Sequence, residues 1–384
     1  MLGAGAVLRI PELLETAVAL LVLVVAQLVR VRWRGRDLTA TRSIHPPAGM
    51  AGSPVTVEVT VSSRRGLPAG EALVWLEPAP QALGGARRLE LIPEGPHRAA
   101  ARYRLTAGRR GRYVLEAGRL TSTDPFGLAQ APRPAGSPSV LVVFPRLESL
   151  RGRVPVGAGS TGASTASAAS LTAGSEFFAT REWQPGDDMR RIHWRSTARM
   201  GKVMVKQEAL RGHDRATVVL DNHAASYAGG WEGPNGSDAF ERAVEAAASI
   251  VHHFLAEGFA VRLAMAASDR DLAHARGAAH HRLLMTALAT VGLAPATVAP
   301  GVLPALGERD REGLVVLVGG VPEAKRSEQL SLLLRGHDAL VVLTTAGAGM
   351  PAEPASHRVL HLPRGQTLAA AWIGAREVPR RGPT

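Results

Sequence analysis

The sequence contains no cysteine and few aromatic residues, and both shortages narrow what the protein can be. Without cysteine, the chain has no disulfide framework, no cysteine-ligated zinc site and no thiol nucleophile. Aromatic residues make up only 4% of a chain that is 46% hydrophobic, so small aliphatic side chains must fill most of the core. At 384 residues, the chain is long enough for two folded units and connecting segments.

The chain is also short of acidic residues, which leaves a formal net charge of +12. Such a charge would suit nucleic acid or an anionic membrane surface. The basic residues are spread along the chain, however, and the sequence has neither a nucleic-acid recognition motif nor a basic stripe interleaved with aromatic residues. We therefore predict no nucleic-acid partner.

One long apolar run, residues 13–29, predicts a helix near the N-terminus. Seventeen helical residues would rise about 25 Å, and continuing to Trp33 brings the helix to the roughly 30 Å of a bilayer core. Four arginines follow the run: Arg30, Arg32, Arg34 and Arg36. A cleaved signal peptide is the alternative, but no small-residue cleavage site follows the run. We predict a single-pass anchor in the lipid bilayer of the cell membrane (residues 1–37, helix about 13–33), with the bulk of the chain cytoplasmic by the positive-inside rule.

Residues 38–150 have the pattern of a β-sandwich. Val55, Val57, Val59 and Val61 alternate with polar residues, which is the period of a strand with one buried face. Turn residues separate several further short apolar runs. The next segment, 151–175, is rich in Gly, Ser and Ala and is predicted to be flexible.

Residues 212–375 alternate between strand and helix patterns. Apolar strands are predicted at 216–220, 259–265, 314–318 and 339–344. Helices are predicted from Asp238 onward, near 281–289 and near 323–334. Continuous apolar strands separated by helices are typical of a mostly parallel, doubly wound sheet, so the predicted class is a Rossmann-like α/β domain. Residues 376–384 form a basic tail.

The segment 176–211 carries the most specific pattern in the chain. The informative stretch that overlaps this segment reads GSEFFATREWQPGDDMRRIHWRSTARMGKVMVKQE from Gly174 to Glu208. This stretch closely resembles the signature of a bacterial family known as domain of unknown function 58 (DUF 58). The Asp124-Pro125-Phe126-Gly127-Leu128 stretch resembles a second motif of that family. The candidate site residues in the signature are Glu176, Arg181, Trp183, Gly186, Asp187, Arg190, His193, Trp194 and Arg199.

Three interpretations of the signature are open. Its arginines and carboxylates can form charge-assisted hydrogen bonds with one another, which favours a clamp between the two domains. A docking surface for a partner protein is the second interpretation. A catalytic or ligand-binding pocket built around His193 is the third, although the sequence has no nucleophile elbow and no Walker motif.

The resemblance implies a von Willebrand factor A-like fold for the α/β domain. Metal-binding versions of that fold hold Mg²⁺ through Asp-x-Ser-x-Ser after the first strand, with oxygen ligands suited to a hard cation. This sequence keeps Asp221 but has His223 and Ala225 at the serine positions. We therefore predict a degenerate metal site at Asp221, with no bound metal and no other cofactor.

The resemblance also implies a partner, because members of the family are often linked to MoxR-type AAA+ ATPases. The expected function is a membrane-anchored, cytoplasm-facing scaffold or adaptor in protein-complex or envelope maturation. We expect it not to be an enzyme and to have no small-molecule substrate. The alternatives are a metal-dependent adhesion module, and a hydrolase that uses His193 with an acidic partner.

Overall fold

The computed structural model describes residues 11–152, 179–182, 194–207, 215–227, 232–233, 236–267, 270–295, 313–320, 338–344 and 357–377. Most of the segment predicted to be flexible, much of the signature and the end of the basic tail lie outside these residues. The chain divides into two compact units. The first, here called the β unit, comprises Met1–Arg146 with Met285–Thr290; the second, the α/β unit, comprises Leu147–Leu284 with Val291–Thr384.

The first described element is the predicted apolar helix, α1, which runs from Pro11 to Gly35. Its stretch Glu12–Gly35 is long and apolar enough to cross a membrane. Only 11% of the most apolar 18-residue part of this stretch is buried by the rest of the chain. On one side of its second half, four residues are buried or partly buried: Val24, Gln27, Leu28 and Val31. This spacing of three and four residues forms a single stripe on a helix.

Eleven strands follow α1 and form the sandwich-like part of the β unit. They are β1 (Leu38–His45), β2 (Ala48–Met50), β3 (Pro54–Ser63), β4 (Ala72–Glu77), β5 (Arg87–Glu90), β6 (Ile92–Pro93), β7 (Arg98–Thr106), β8 (Gly111–Leu115), β9 (Gly118–Thr123), β10 (Gln130–Ala135) and β11 (Ser139–Phe144). They make three sheets with the orders β1-β3-β7-β6, β10-β9-β4-β5 and β2-β11-β8. The stripe of α1 packs against β9 and β10.

The core of this unit lies between the sheets and confirms the predicted alternation. All four valines of β3 face inward and are at most 2% exposed. They pack in one cluster with Trp75 and Leu120 from the second sheet and with Leu141 from the third. Burying a large apolar side chain stabilises the fold by about 1.5–3 kcal/mol. Because a shift of one residue would expose all four valines, this burial fixes the register of the strand.

The same core contains an ion pair that the sequence does not predict. Arg42 Nη2 lies 2.9 Å from Glu77 Oε1, and the two side chains are 1% and 0% exposed. Trp75 Nε1 donates to Glu77 Oε2 over 2.8 Å, and Arg42 Nη1 donates to the carbonyl of Leu115. Such partners are what a buried charge requires, since an unpaired charge in this position would be very costly.

The remaining elements belong to the α/β unit, except that Met285–Thr290, the end of the helix at Ala278–Thr290, is grouped with the β unit. They are β12 (Ala179–Glu182), α2 (Trp194–Met200), β13 (Met204–Gln207), β14 (Arg215–Leu220), β15 (Glu232–Gly233), β16 (Gly236–Ser237), α3 (Asp238–Ala256), β17 (Ala260–Met265), β18 (Asp271–Ala275), α4 (Ala278–Thr290), β19 (Leu314–Gly319), β20 (Asp338–Leu343), β21 (His357–His361) and α5 (Leu368–Glu377). The predicted helix near 323–334 lies outside the residues that the structure covers.

Six strands form the main sheet in the order β18-β17-β14-β19-β20-β21. All neighbouring pairs are parallel except β17 with β18, so the prediction of a mostly parallel sheet is confirmed. Helix α3 packs on β14, β17 and β19, and its residues Ala243, Val244 and Ala247 are fully buried. The order places β14 at the centre of the sheet.

Candidate functional site at the end of β14

Asp221 lies where strand β14 ends, at the point from which the chain winds in both directions across the sheet. The next strand, β17, pairs on one side of β14, whereas β19 pairs on the other. In open α/β sheets, ligands bind at the carboxyl ends of strands at such a switch point. The backbone N–H of Asp221 donates to the carbonyl of Val318 on β19 over 2.8 Å, which joins the two strand ends.

Both carboxylate oxygens of Asp221 are engaged by the loop that follows it. Oδ1 accepts the backbone N–H of His223 at 3.0 Å and lies 2.9 Å from His223 Nδ1. Oδ2 accepts the hydroxyl of Ser226 at 2.5 Å. Residues 224–227 form a 3-10 turn, Ala224–Tyr227, which brings Ser226 back toward the strand end. Asp221 therefore organises its own loop.

This network holds Asp221 ionised even though the side chain is buried. Burial alone would raise the pKa of its carboxyl, but the hydrogen bonds from His223 and Ser226 outweigh burial and lower the pKa below its ordinary value. An ionised carboxylate can only accept, so His223 Nδ1 carries the proton. His223 Nε2 is buried and has no hydrogen-bond partner in the described part of the chain.

Two glycines at the end of β19 permit this close packing. A Cβ added to Gly319 would lie 2.7 Å from the Cβ of Asp221. A Cβ added to Gly320 would lie much closer still, 1.9 Å from the carbonyl oxygen of Ser226. Neighbouring loops are tied in by side chains as well: Asn222 Oδ1 accepts the N–H of Ala267, and Thr344 Oγ1 donates to the carbonyl of Gly319.

In this arrangement the Asp221 carboxylate is engaged by hydrogen bonds from its own loop. Mg²⁺ prefers several oxygen ligands, yet the position two residues after Asp221 holds an imidazole and the position four residues after holds the methyl group of Ala225. Within the described ranges, no three His, Cys, Asp or Glu side chains are grouped so as to hold a metal ion. The predicted absence of a metal stays a prediction.

Part of the chain matches a known protein family. Residues 179–353 match the family model described as "Protein of unknown function DUF58". The DUF58 match thus runs from β12 through β20 and includes Asp221. It is consistent with the resemblance carried by the signature.

Individual relatives are distant. The "Uncharacterized protein YeaD" of Bacillus subtilis (strain 168) is 24% identical over 221 residues, which are 56% of this chain and 52% of that protein. The chain therefore spans about half the length of this curated relative.

Solved structures with similar parts include the major pilin subunit BcpA of Bacillus cereus. It is 9% identical, has a TM-score of 0.21, and the match covers 28% of this chain and 41% of the pilin. A CARDB domain from Pyrococcus furiosus is 16% identical, with a TM-score of 0.19 and coverage of 28% and 87%. Both TM-scores are too low to carry an argument about fold or function.

The structure describes only some of the candidate residues in the signature. Arg181 lies on β12 and is paired in register with Val205 on β13. Trp194 begins α2 and is 70% exposed, and Arg199 lies exposed on the same helix. Glu176, Trp183, Gly186, Asp187, Arg190 and His193 lie outside the described residues. The clamp, and the hydrolase that depends on His193, therefore stay untested.

Two contacts in the DUF58 match were not predicted from the sequence. Ser226 is one residue away from the serine position of the metal-binding pattern, and only the 3-10 turn directs it to Asp221. His252 Nδ1 and His281 Nε2 lie 3.2 Å apart although 29 positions separate them in sequence. The two histidines lie on different helices, α3 and α4, so the spacing of four residues expected within one helix does not predict their contact.

Replacing Asp221 by Asn is expected to destabilise the α/β unit by about 1–3 kcal/mol at neutral pH, because a buried charged acceptor is lost. The folded-state pKa of Asp221 is lowered, so its contribution to stability is present above the ordinary pKa of 3.8 and is lost as the pH falls through the folded pKa. The difference between wild type and D221N should therefore be constant near neutral pH and shrink below pH 3.8. Urea unfolding at a series of pH values would measure it; a pH-independent difference would contradict the lowered pKa.

Proposed function

We propose that this protein is a DUF58 family member that works as a membrane-anchored, cytoplasm-facing scaffold or adaptor, together with a MoxR-type AAA+ ATPase. The process served is maturation of a protein complex or of the envelope. The observation that carries the proposal is the network at Asp221. Both oxygens of its carboxylate are taken up by its own loop, which supports a metal-independent scaffold over a metal-dependent adhesion module.

The α/β unit is proposed to be von Willebrand factor A-like. Support comes from the strand order, in which the first strand of the main sheet, β14, is central and the next two lie on one side of it. Asp221 follows that first strand, at the position of the metal-binding aspartate in the fold that the resemblance implies. His223 and Ala225 replace two oxygen ligands, which supports a version of the fold that does not depend on a metal.

The single-pass anchor is assigned to α1. Its length and apolar composition support a membrane crossing, and arginines 30, 32, 34 and 36 follow the apolar run. By the positive-inside rule this arrangement supports a cytoplasmic location for the rest of the chain.

The docking surface for the ATPase is proposed on and beside α2. Trp194 is 70% exposed, Met200 is 67% exposed and Val203 is 42% exposed. A tryptophan and a methionine left open to water within one short segment are typical of a protein interface, where tryptophan contributes much of the binding energy. The exposed indole of Trp194 favours docking over the clamp among the interpretations of the signature.

Affinity purification of the full chain from native membranes tests the proposal. We expect a MoxR-type AAA+ ATPase to co-purify with wild type and to be lost, or reduced at least tenfold, with Trp194→Ala, since loss of a central tryptophan costs about 2 kcal/mol or more. Ile92→Ala is the matched control, because Ile92 is 69% exposed but lies in the β unit. Failure to enrich any AAA+ ATPase with wild type would refute the adaptor function; equal enrichment by all three chains would move the docking surface elsewhere.

A further inference from the structure

The turn between β9 and β10, residues 124–129, presents two large apolar side chains to the outside of the β unit. Phe126 is 67% exposed and Leu128 is 43% exposed. The two side chains lie on either side of Gly127 at the tip of one turn. Scattered exposed apolar residues are ordinary, whereas two large ones on a single turn provide apolar surface that another apolar phase could cover.

This turn is held in a fixed conformation. Asp124 is 3% exposed, and its carboxylate accepts the backbone N–H of Phe126 at 3.0 Å and that of Ala129 at 2.6 Å. The N–H of Gly127 donates to the carbonyl of Asp124, and Gly127 has a φ of 70°, which favours glycine. These bonds fix the backbone of the turn, so they hold Phe126 at an exposed position.

Contacts within the β unit place the turn beside α1. Ser122, near the end of β9, donates its hydroxyl to Glu71 Oε2 at 2.6 Å. The other carboxylate oxygen of Glu71 lies 3.7 Å from Arg30 Nε on α1. Next to this contact, Pro125 packs against Gly70, where an added Cβ would lie 3.2 Å from the proline ring. The turn thus begins two residues beyond the point at which the sheet is tied to the helix.

The direction of the turn follows from a second tie. Arg133 on β10 donates to the carbonyl of Leu38, just after the end of α1. Arg133 is thus level with the end of α1, whereas Ala131, which pairs with Ser122, is level with Arg30. The direction from Arg133 to Gln130 is therefore the direction from the end of α1 back to Arg30. Residues 124–129 lie further along this direction. The partly buried stripe on α1 continues past Arg30 to Val24, as this direction requires. The tip consequently points toward the apolar part of the helix.

We propose that Phe126 and Leu128 insert into the interfacial layer of the bilayer that α1 crosses, so that the β unit rests on the membrane at two points. The inference rests on the membrane crossing of the proposed function. Aromatic rings are favoured at the membrane interface, and Arg32 and Arg34, which follow Arg30 toward the end of α1, supply positive charge for anionic headgroups. A helix alone lets the unit tilt relative to the plane of the bilayer; the second contact limits that tilt.

Site-directed spin labelling tests this directly, because the natural chain has no cysteine. The full chain with Phe126→Cys is labelled with a nitroxide and reconstituted in vesicles of phosphatidylcholine and phosphatidylglycerol. Collision rates with dissolved oxygen and with a water-soluble nickel complex are then compared. We expect the oxygen-to-nickel ratio at position 126 to be several-fold higher than at Ile92→Cys, the control with a similar exposure of 69%. Leu128→Cys reports on the same tip if the first variant fails to fold.

Leu21→Cys, 52% exposed in the middle of α1, separates failure of the inference from failure of the anchor. Ratios at 126 and 128 that equal the ratio at 92, with a high ratio at 21, overturn the inserted turn and leave the anchor standing. A low ratio at 21 overturns both, because the turn has no bilayer to enter.

Discussion

Gly320→Ala is expected to lower the free energy of unfolding of the α/β unit by about 3 kcal/mol or more, a cost at the upper end of overpacking changes. The added methyl group would lie 1.9 Å from the carbonyl oxygen of Ser226 and 2.7 Å from its carbonyl carbon. These are backbone atoms, so relief requires moving the turn that holds Ser226 against Asp221. The substitution should therefore break the Asp221 network without touching any of its polar side chains.

Hydrogen exchange of peptides from β14 and β19 would measure this effect separately from the β unit. Gly292→Ala is the matched control, because Gly292 lies in the same unit and a Cβ there meets nothing within 4 Å. We expect the control to change stability by no more than about 0.5 kcal/mol. Equal protection of the strands in both variants would show that the Ser226 turn yields easily and that the network is not rigid.

The sequence predicts those parts of the fold in which burial imposes a simple period. The four valines of β3 alternate because one face of the sheet is buried, and β14, β19 and β20 are continuous apolar runs because central parallel strands are covered on both faces. Strands β18 and β21 lie at the two edges of the main sheet and read DLAHA and HRVLH, so neither pattern could be recognised.

The candidate site is predictable only in part for a related reason. Asp221 ends an apolar strand and stands out in the sequence, whereas its bond to Ser226 depends on a 3-10 turn that shifts the phase of the loop by one residue. The pairing of Arg42 with Glu77 depends on how two sheets of the β unit meet. Nothing local to either residue encodes that contact.

Glu77→Gln is expected to destabilise the β unit by about 3–5 kcal/mol, as is typical when one partner of a buried ion pair is removed. Glutamine keeps the shape of the side chain and an oxygen for Trp75 Nε1, but it leaves the guanidinium of Arg42 buried without a counter-charge. Glu58→Gln is the matched control on the surface, where Glu58 lies 2.9 Å from an Arg102 side chain that is 62% exposed. Because water screens that pair, the control should leave stability nearly unchanged.

A double variant distinguishes the cost of an unpaired charge from a general loss of packing. Arg42→Met combined with Glu77→Leu removes both charges and keeps apolar volume, and apolar replacements of buried ion pairs are often neutral or stabilising. The double variant should therefore be more stable than Glu77→Gln alone, as measured by exchange protection of peptides from β1 and β4. If it is equally unstable, the hydrogen bonds that only the double variant loses offset the gain from removing the unpaired charge. These are the bonds of Arg42 to the carbonyls of Leu115 and Glu116 and the bond from Trp75 Nε1 to residue 77.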